Sequence, residues 1–93
     1  MKNYILVFNS LFATRLEAIE IVKKIPAIQS WRSDMPYAIY LKSESSAQQL
    51  CDAIREQRGK GRFLVCEVSQ NRQGYLTKDS WSFLSNKDNT NTI

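Results

Sequence analysis

The chain has 93 residues, of which 43% are hydrophobic and 24% are charged, and this is the composition of a single globular domain with a modest core. Its 13 basic and 9 acidic residues give a formal net charge of +4, which is compatible with a nucleic-acid partner but does not require one. Histidine is absent, so Ser-His and Cys-His catalysis and histidine-ligated zinc are excluded.

The cysteines and the hydropathy pattern indicate where such a chain resides. Cys51 and Cys66 lie in apolar patterns without a CxxC neighbour, which predicts buried thiols in a reducing compartment. No stretch approaches the roughly 18 apolar residues of a membrane span, and the N-terminus does not resemble a signal peptide. We expect a cytoplasmic protein with no membrane partner, no cofactor and no metal site.

The first apolar segment, NYILVFNS, predicts a strand over residues 3–9. Ile5 and Val7 fall on one face of this strand, and the other face carries Tyr4, Leu6 and Phe8. Neither face is suited to water, so both faces of the strand should be covered.

A first helix is predicted after "TRLE", where Thr14 and Glu17 form a capping box. Apolar residues then recur with helical spacing from Ala18 to Ile25. Pro26 ends the helix, because the residue before a proline is disfavoured in helical geometry.

The middle of the chain predicts two strands and a second helix. Residues 27–33, AIQSWRS, give a weak strand pattern, and residues 37–42, YAIYLK, give a strand that is apolar on both faces. The second helix starts with a capping box of Ser45 and Gln48 and ends near Gln57.

The last strand is predicted at residues 62–68, and Thr77 can cap a short helix after it. The apolar residues of that helix are Trp81, Phe83 and Leu84. Residues 1–84 are therefore expected to form one domain, followed by a disordered polar tail over 85–93.

The order strand, helix, strand, strand, helix, strand predicts an α+β, ferredoxin-like βαββαβ fold. It has a four-stranded antiparallel sheet, two helices on one face and an extra C-terminal segment. The helix-free face is expected to be covered by the C-terminal segment, in cis or from a partner, and by a second copy of the chain. The alternative is that the C-terminal segment folds back alone. The residues expected at the homodimer interface are Tyr4, Leu6, Phe8, Tyr37, Ile39, Trp81, Phe83 and Leu84.

The segment GRFLVCEVSQNRQGYLTKDSWSFL combines an arginine-led strand, a polar turn, Gly-aromatic-Leu, a lysine-acid pair and Trp-x-aromatic-Leu. It resembles small bacterial ferredoxin-like proteins related to the second CRISPR-associated family, which is the small subunit of spacer-integration complexes, and to virulence-associated ribonuclease toxins. YILVFNS resembles the first strand of these proteins, and MPYAIYLKSESSAQQLCDAI resembles their third strand and second helix.

This resemblance implies a homodimer whose C-terminal segments dock on the partner. In the CRISPR-associated family it also implies an aspartate at the end of the first strand that binds a divalent metal for phosphodiester cleavage. This chain has Asn9 at that position, and an amide carries no charge to hold Mg²⁺. We expect a non-catalytic protein, with a metal-dependent ribonuclease or deoxyribonuclease as the alternative.

The segment MPYAIYLKSESSAQQLCDAI is also similar to RNA-recognition motifs, which stack bases on the open face of a sheet with the same fold. Tyr37 falls on one stacking position. Pro36 replaces the glycine of that family, and Ile39 replaces its second stacking aromatic.

The stretch RGKGR is the main candidate for phosphate contacts, because its two glycines let backbone amides approach an anion. A helix C-cap with basic residues near the negative end of the helix explains the same sequence. A protein-interaction module without a nucleic-acid ligand is a further alternative. The candidate nucleic-acid contacts are Arg15, Arg32, Arg58, Lys60 and Arg62.

Overall fold

The computed structural model describes residues 1–85 and Asn91, and this part of the chain forms four strands and three helices. In chain order they are β1 (Lys2–Phe8), α1 (Arg15–Lys23), β2 (Ser30–Met35), β3 (Ala38–Ser43), α2 (Ala47–Gln57), β4 (Phe63–Glu67) and α3 (Lys78–Leu84). Except for Ser85 and Asn91, the predicted tail over 85–93 lies outside the described residues. None of the helices in the described part has the length and hydropathy to cross a membrane.

The strands form one antiparallel sheet in the order β2-β3-β1-β4. β1 is central, and its Leu6 lies opposite Ile39 of β3 on one side and Val65 of β4 on the other. The predicted α+β class is confirmed, and the strand order is compatible with a ferredoxin-like layout.

The capping box predicted for α1 is present. Thr14 Oγ1 accepts the Glu17 backbone N–H, and Glu17 Oε1 accepts the Thr14 backbone N–H. The helix ends at the C-cap residue Lys24, shortly before Pro26.

The start of α2 is shifted by one residue from the prediction, because Ser46 and Gln49 form the capping box. The backbone of Ser45 has other partners. Its N–H donates to Ser43 Oγ, and its carbonyl accepts a 2.6 Å hydrogen bond from the Tyr4 hydroxyl. Tertiary contacts therefore select between two capping boxes that the sequence allows.

The main core lies between the sheet and helices α1 and α2. The β1 side chains directed at these helices are Tyr4, Leu6 and Phe8, and Ile39 of β3 lies in the same layer. The helices contribute Ala18, Ile19, Ile21, Val22, Leu50 and Ile54. The prediction that Tyr4, Leu6, Phe8 and Ile39 lie on the helix-free face is wrong, because the two crossover helices cover that side of the strands.

Helix α3 packs on the opposite face of the sheet. Thr77 caps it as predicted, since Thr77 Oγ1 accepts the Ser80 backbone N–H. Phe83 and Leu84 are buried next to Tyr40 of β3. The C-terminal segment thus covers part of this face in cis.

Two side chains of the sheet bind the C-terminal turn of α3. Asn3 Nδ2 donates a 2.7 Å hydrogen bond to the Leu84 carbonyl. The Lys42 ammonium donates to the Phe83 carbonyl and lies 4.4 Å from the centroid of the Phe83 ring. Lys42 is only 1% exposed, so a cation is buried beneath the helix.

A polar network connects the start of α3 to strands β2 and β3. Arg32 Nε donates to Ser80 Oγ at 2.8 Å, and Ser80 Oγ donates to Asp34 Oδ2 at 2.6 Å. The Tyr40 hydroxyl donates to Asp34 Oδ1 at 3.0 Å. Burial, followed by the hydrogen bond and the charge of Asp34, raises the pKa of Tyr40 above its ordinary value.

The substitution Ser80→Ala is expected to lower the free energy of unfolding by about 1–3 kcal/mol, because it removes the hydroxyl that joins Arg32 to Asp34. Urea unfolding monitored by tryptophan fluorescence measures this loss. Ser82→Ala on the same helix is the control and should change the stability by less than about 0.5 kcal/mol. Equal stability of both variants would show that the network does not hold α3.

Candidate nucleic-acid interface

Four basic residues surround one depression of about 360 Å³ where α2 connects to β4. We call this group, Arg55, Arg58, Lys60 and Arg62, the basic turn. Arg55, Lys60 and Arg62 are exposed, and Arg58 is half-buried. The rest of the wall is formed by Cys51, Gly59, Gly61 and Phe63.

Of the basic turn, Arg55 is the member that sequence reasoning missed. Its signal is the spacing of Cys51 and Arg55, which lie four residues apart and therefore share one face of α2, close to the C-cap residue Arg58. Arg55 precedes the RGKGR stretch and belongs to the helix, so the motif alone does not include it.

Arg58 connects the basic turn to the start of α1. Its NH1 atom lies 3.7 Å from Glu17 Oε2. The pKa of Glu17 lies below its ordinary value, mainly because of its hydrogen bonds with Thr14 and further because of the charges of Arg58 and Lys60. The Nε atom of Arg58 is buried and has no hydrogen-bond partner within the described chain.

The backbone of the basic turn is fixed against the end of β1. Gly61 has a φ of +75°, and a Cβ atom at this position would overlap the backbone of Phe12. Asn9 Oδ1 accepts the backbone N–H of Arg62 at 3.0 Å and that of Phe12 at 3.1 Å. The glycine and the asparagine therefore hold the turn at the end of the central strand.

The other two predicted nucleic-acid contacts are engaged within the fold. Arg15 donates from Nε to Ser33 Oγ and from NH2 to the Ser33 carbonyl, which connects α1 to β2. Arg32 is 7% exposed, and it contacts Ser80 and, at 3.9 Å, Asp79. The prediction that Arg32 reaches a phosphate is wrong, because the side chain lies beneath α3.

The predicted dimer residues do not lie on one surface. Phe83 and Leu84 are buried against their own sheet, and Trp81 is half-buried beside them. Tyr37 is half-exposed, and its ring meets Phe8 edge-on at 5.7 Å, at the margin of the helix-covered layer. Tyr37 and Ile39 therefore do not form a stacking platform on the helix-free face.

Part of the helix-free face is left uncovered by α3. We call this part the bare face, and its exposed side chains are Val7, Met35, Leu64 and Cys66. Cys66 was predicted to be buried, and that prediction is wrong because the edge strand β4 turns it toward the uncovered side.

Asn9 stands where the resemblance implies a metal-binding aspartate. Its carboxamide oxygen is occupied by the two backbone N–H groups of the turn. Among residues 1–85 and Asn91, no group of three or more His, Cys, Asp or Glu residues is arranged to hold a metal ion.

Comparison with known proteins gives no relative: no family model, no curated protein and no solved structure matches the chain.

Gly61→Ala is expected to lower the free energy of unfolding by at least about 2 kcal/mol, because it adds a strained φ and a steric overlap with Phe12. Gly59→Ala is the matched control, since a Cβ atom at Gly59 meets nothing within 4 Å. The control should be unchanged or more stable by up to about 1 kcal/mol in urea unfolding. A Gly61→Ala variant as stable as the parent would contradict the close approach of the turn to the backbone of Phe12.

Asn9→Ala should destabilise the protein by about 1–2 kcal/mol, because the N–H of Arg62 loses its acceptor and the N–H of Phe12 keeps only the backbone carbonyl of residue 9. Asn9→Asp retains an oxygen at the same position and should keep most of the stability. The comparison is made by thermal and urea unfolding of the three proteins. An alanine variant as stable as the parent would show that the carboxamide does not anchor the turn.

Proposed function

We propose that this protein is a non-catalytic homodimer that binds the phosphate backbone of nucleic acid through the basic turn. The observation that carries the proposal is the convergence of Arg55, Arg58, Lys60 and Arg62 on one depression. Clustered cations of this kind release counterions when they neutralise phosphates, and this release is the main source of sequence-independent affinity.

The arrangement of the charges supports a phosphate ligand over a simple helix cap. Basic residues that only complement a helix end would need to lie within its last turn. Here Lys60 and Arg62 lie beyond the end of α2, and together with Arg55 they remain exposed. Glu17 forms an ion pair with Arg58 at 3.7 Å.

A binding role without cleavage is supported by the environment of Asn9. The residue lacks the charge that attracts Mg²⁺, and its oxygen is used to hold the turn. The proposal therefore places this chain in the group that its C-terminal segment resembles, with the metal position converted into a structural anchor of the basic turn.

The bare face supports the homodimer. Val7 is 43% exposed and Leu64 is 61% exposed, although both belong to the sheet. These two residues and Arg62 line one shallow, mostly apolar depression of about 330 Å³. A second copy on the bare face would lie beside the basic turn. The basic turns of both subunits would then contact the same nucleic-acid strand.

The test is the salt dependence of binding to a fluorescently labelled oligonucleotide of roughly 20 nucleotides, used as a single strand and as a duplex. The double variant Lys60→Ala/Arg62→Ala should weaken binding by roughly tenfold at low salt. It should also reduce the slope of log K against log salt by about 2, or about 1 for each lost phosphate contact.

The matched control is Lys2→Ala/Lys24→Ala, which also lowers the net charge from +4 to +2 but removes exposed lysines away from the basic turn. This control should bind like the parent. Equal losses in both double variants, or no retention of either oligonucleotide at low salt, would contradict the proposed site. Cleavage that a chelator abolishes would contradict the non-catalytic part of the proposal.

A further inference from the structure

A small apolar cavity of about 180 Å³ opens on the helix-free side of the sheet, between α3 and the loop that precedes it. Ile5 and Tyr40 contribute from the central strands, and Met35 contributes from the end of β2. The other lining residues are Val68, Arg72, Gln73, Gly74, Leu76, Trp81 and Leu84.

One large aromatic side chain stands next to this cavity and outside it. Tyr75 is fully exposed, although both of its neighbours in the chain, Gly74 and Leu76, line the cavity. The loop therefore turns residues 74 and 76 toward the cavity and residue 75 toward the solvent. An enclosed aromatic side chain of this size buries about 150–250 Å² of surface. Tyr75 therefore makes no hydrophobic contribution to the stability of the fold while it is fully exposed.

We infer that Tyr75 of each subunit inserts into the cavity of a second copy, so that two tyrosines are exchanged across the twofold axis of the proposed homodimer. This inference rests on the homodimer of the proposed function and specifies how its subunits recognise each other. A twofold interface uses the same surface on both subunits, so the surface must contain both the inserted group and the receiving site. Tyr75 and the cavity satisfy that requirement within one loop.

The size of the cavity fits the ring of a tyrosine. An apolar cavity of about 150 Å³ accepts a benzene ring, so 180 Å³ accommodates a phenol ring. A ligand of drug size needs about 300–1,000 Å³, which is well above the space found here. The cavity is therefore matched to one side chain.

The polar groups of the cavity also fit a phenol. Arg72 lies in the wall, where its guanidinium donates to the carbonyls of Ser69 and Leu84 and is held in place. A fixed guanidinium can face an aromatic ring or donate to a phenolic oxygen, and Gln73 offers a second polar partner. The inserted hydroxyl would therefore not be left without a hydrogen bond.

The surroundings of the cavity favour a second copy of this chain over an unrelated partner. A partner that supplies only an inserted side chain would leave Tyr75 exposed, whereas a second copy of this chain supplies both the inserted ring and the receiving cavity. Met35 belongs both to the cavity wall and to the bare face, so the same contact would also shield the apolar side chains that α3 leaves uncovered.

The inference is tested by sedimentation equilibrium of the full chain. Tyr75→Ala should raise the dimer dissociation constant by more than about 30-fold. Leu16→Ala is the control, because Leu16 is a largely exposed apolar side chain on α1 that does not line the cavity. The control should keep the dissociation constant of the parent.

A second variant, Gly74→Leu, places a side chain at the cavity without a steric clash, since a Cβ atom at Gly74 meets nothing within 4 Å. It should also weaken the dimer. In a mixture of the two variants, the intact Tyr75 of the Gly74→Leu chain can enter the open cavity of the Tyr75→Ala chain. Chains that pair at random in an equimolar mixture give heterodimers as half of all dimers, so native mass spectrometry should detect a heterodimer share well above one half.

The outcomes separate this inference from the homodimer itself. A parent protein that is monomeric at all concentrations overturns both. A dimeric parent whose association is unaffected by Tyr75→Ala overturns the tyrosine exchange and leaves the homodimer standing. Weakened single variants without recovery in the mixture also overturn the exchange, because the tyrosine and the cavity would then act independently.

Discussion

The burial of cations beneath α3 is the constraint on which the helix-free side of the sheet depends. Lys42 and Arg32 are 1% and 7% exposed, and a charge removed from water is tolerated only where polar partners replace the lost hydration. Helix α3 offers the Phe83 carbonyl to Lys42 and the Ser80 hydroxyl to Arg32. A helix of seven residues is too short to be stable alone, so the helix and the buried cations stabilise each other. Because these contacts fix α3 in one place, they also determine which part of the sheet stays uncovered.

The position of the basic turn follows from a second, local constraint at the end of β1. The absence of a side chain at Gly61 lets the turn approach Phe12, and Asn9 binds the amide of Arg62. One constraint acts beneath α3 and the other acts at the end of β1. The surfaces that they define meet at Arg62, which borders both the charged depression and the apolar bare face. The contact between this charged surface and this apolar surface connects the proposed assembly to the proposed ligand.

Local signals in the sequence predicted the elements well, and the tertiary arrangement of their faces was harder to predict. The capping box of Thr14 and Glu17 depends on four consecutive residues and is confirmed. Strand periodicity places Tyr4, Leu6 and Phe8 on one face of β1 and Ile5 and Val7 on the other, but it does not tell which face the helices α1 and α2 cover. The polar residues Asn3 and Lys42 indicate the answer. They lie on the same face as Ile5 and Val7, and both bind α3. The role of Arg32 was equally hidden, because its partner Ser80 is 48 residues away in the chain.

The anchoring of the basic turn limits how this loop can vary. Three of its charged side chains, Arg55, Lys60 and Arg62, are exposed, so their charge can change without disturbing the backbone that carries them. Its length is fixed, because an inserted residue would separate the Arg62 amide from Asn9 or move a side chain into the space that Gly61 leaves open beside Phe12. The charge of this turn is therefore varied by exchanging residues within a loop of constant size, in contrast to surface loops that diverge mainly by insertion and deletion.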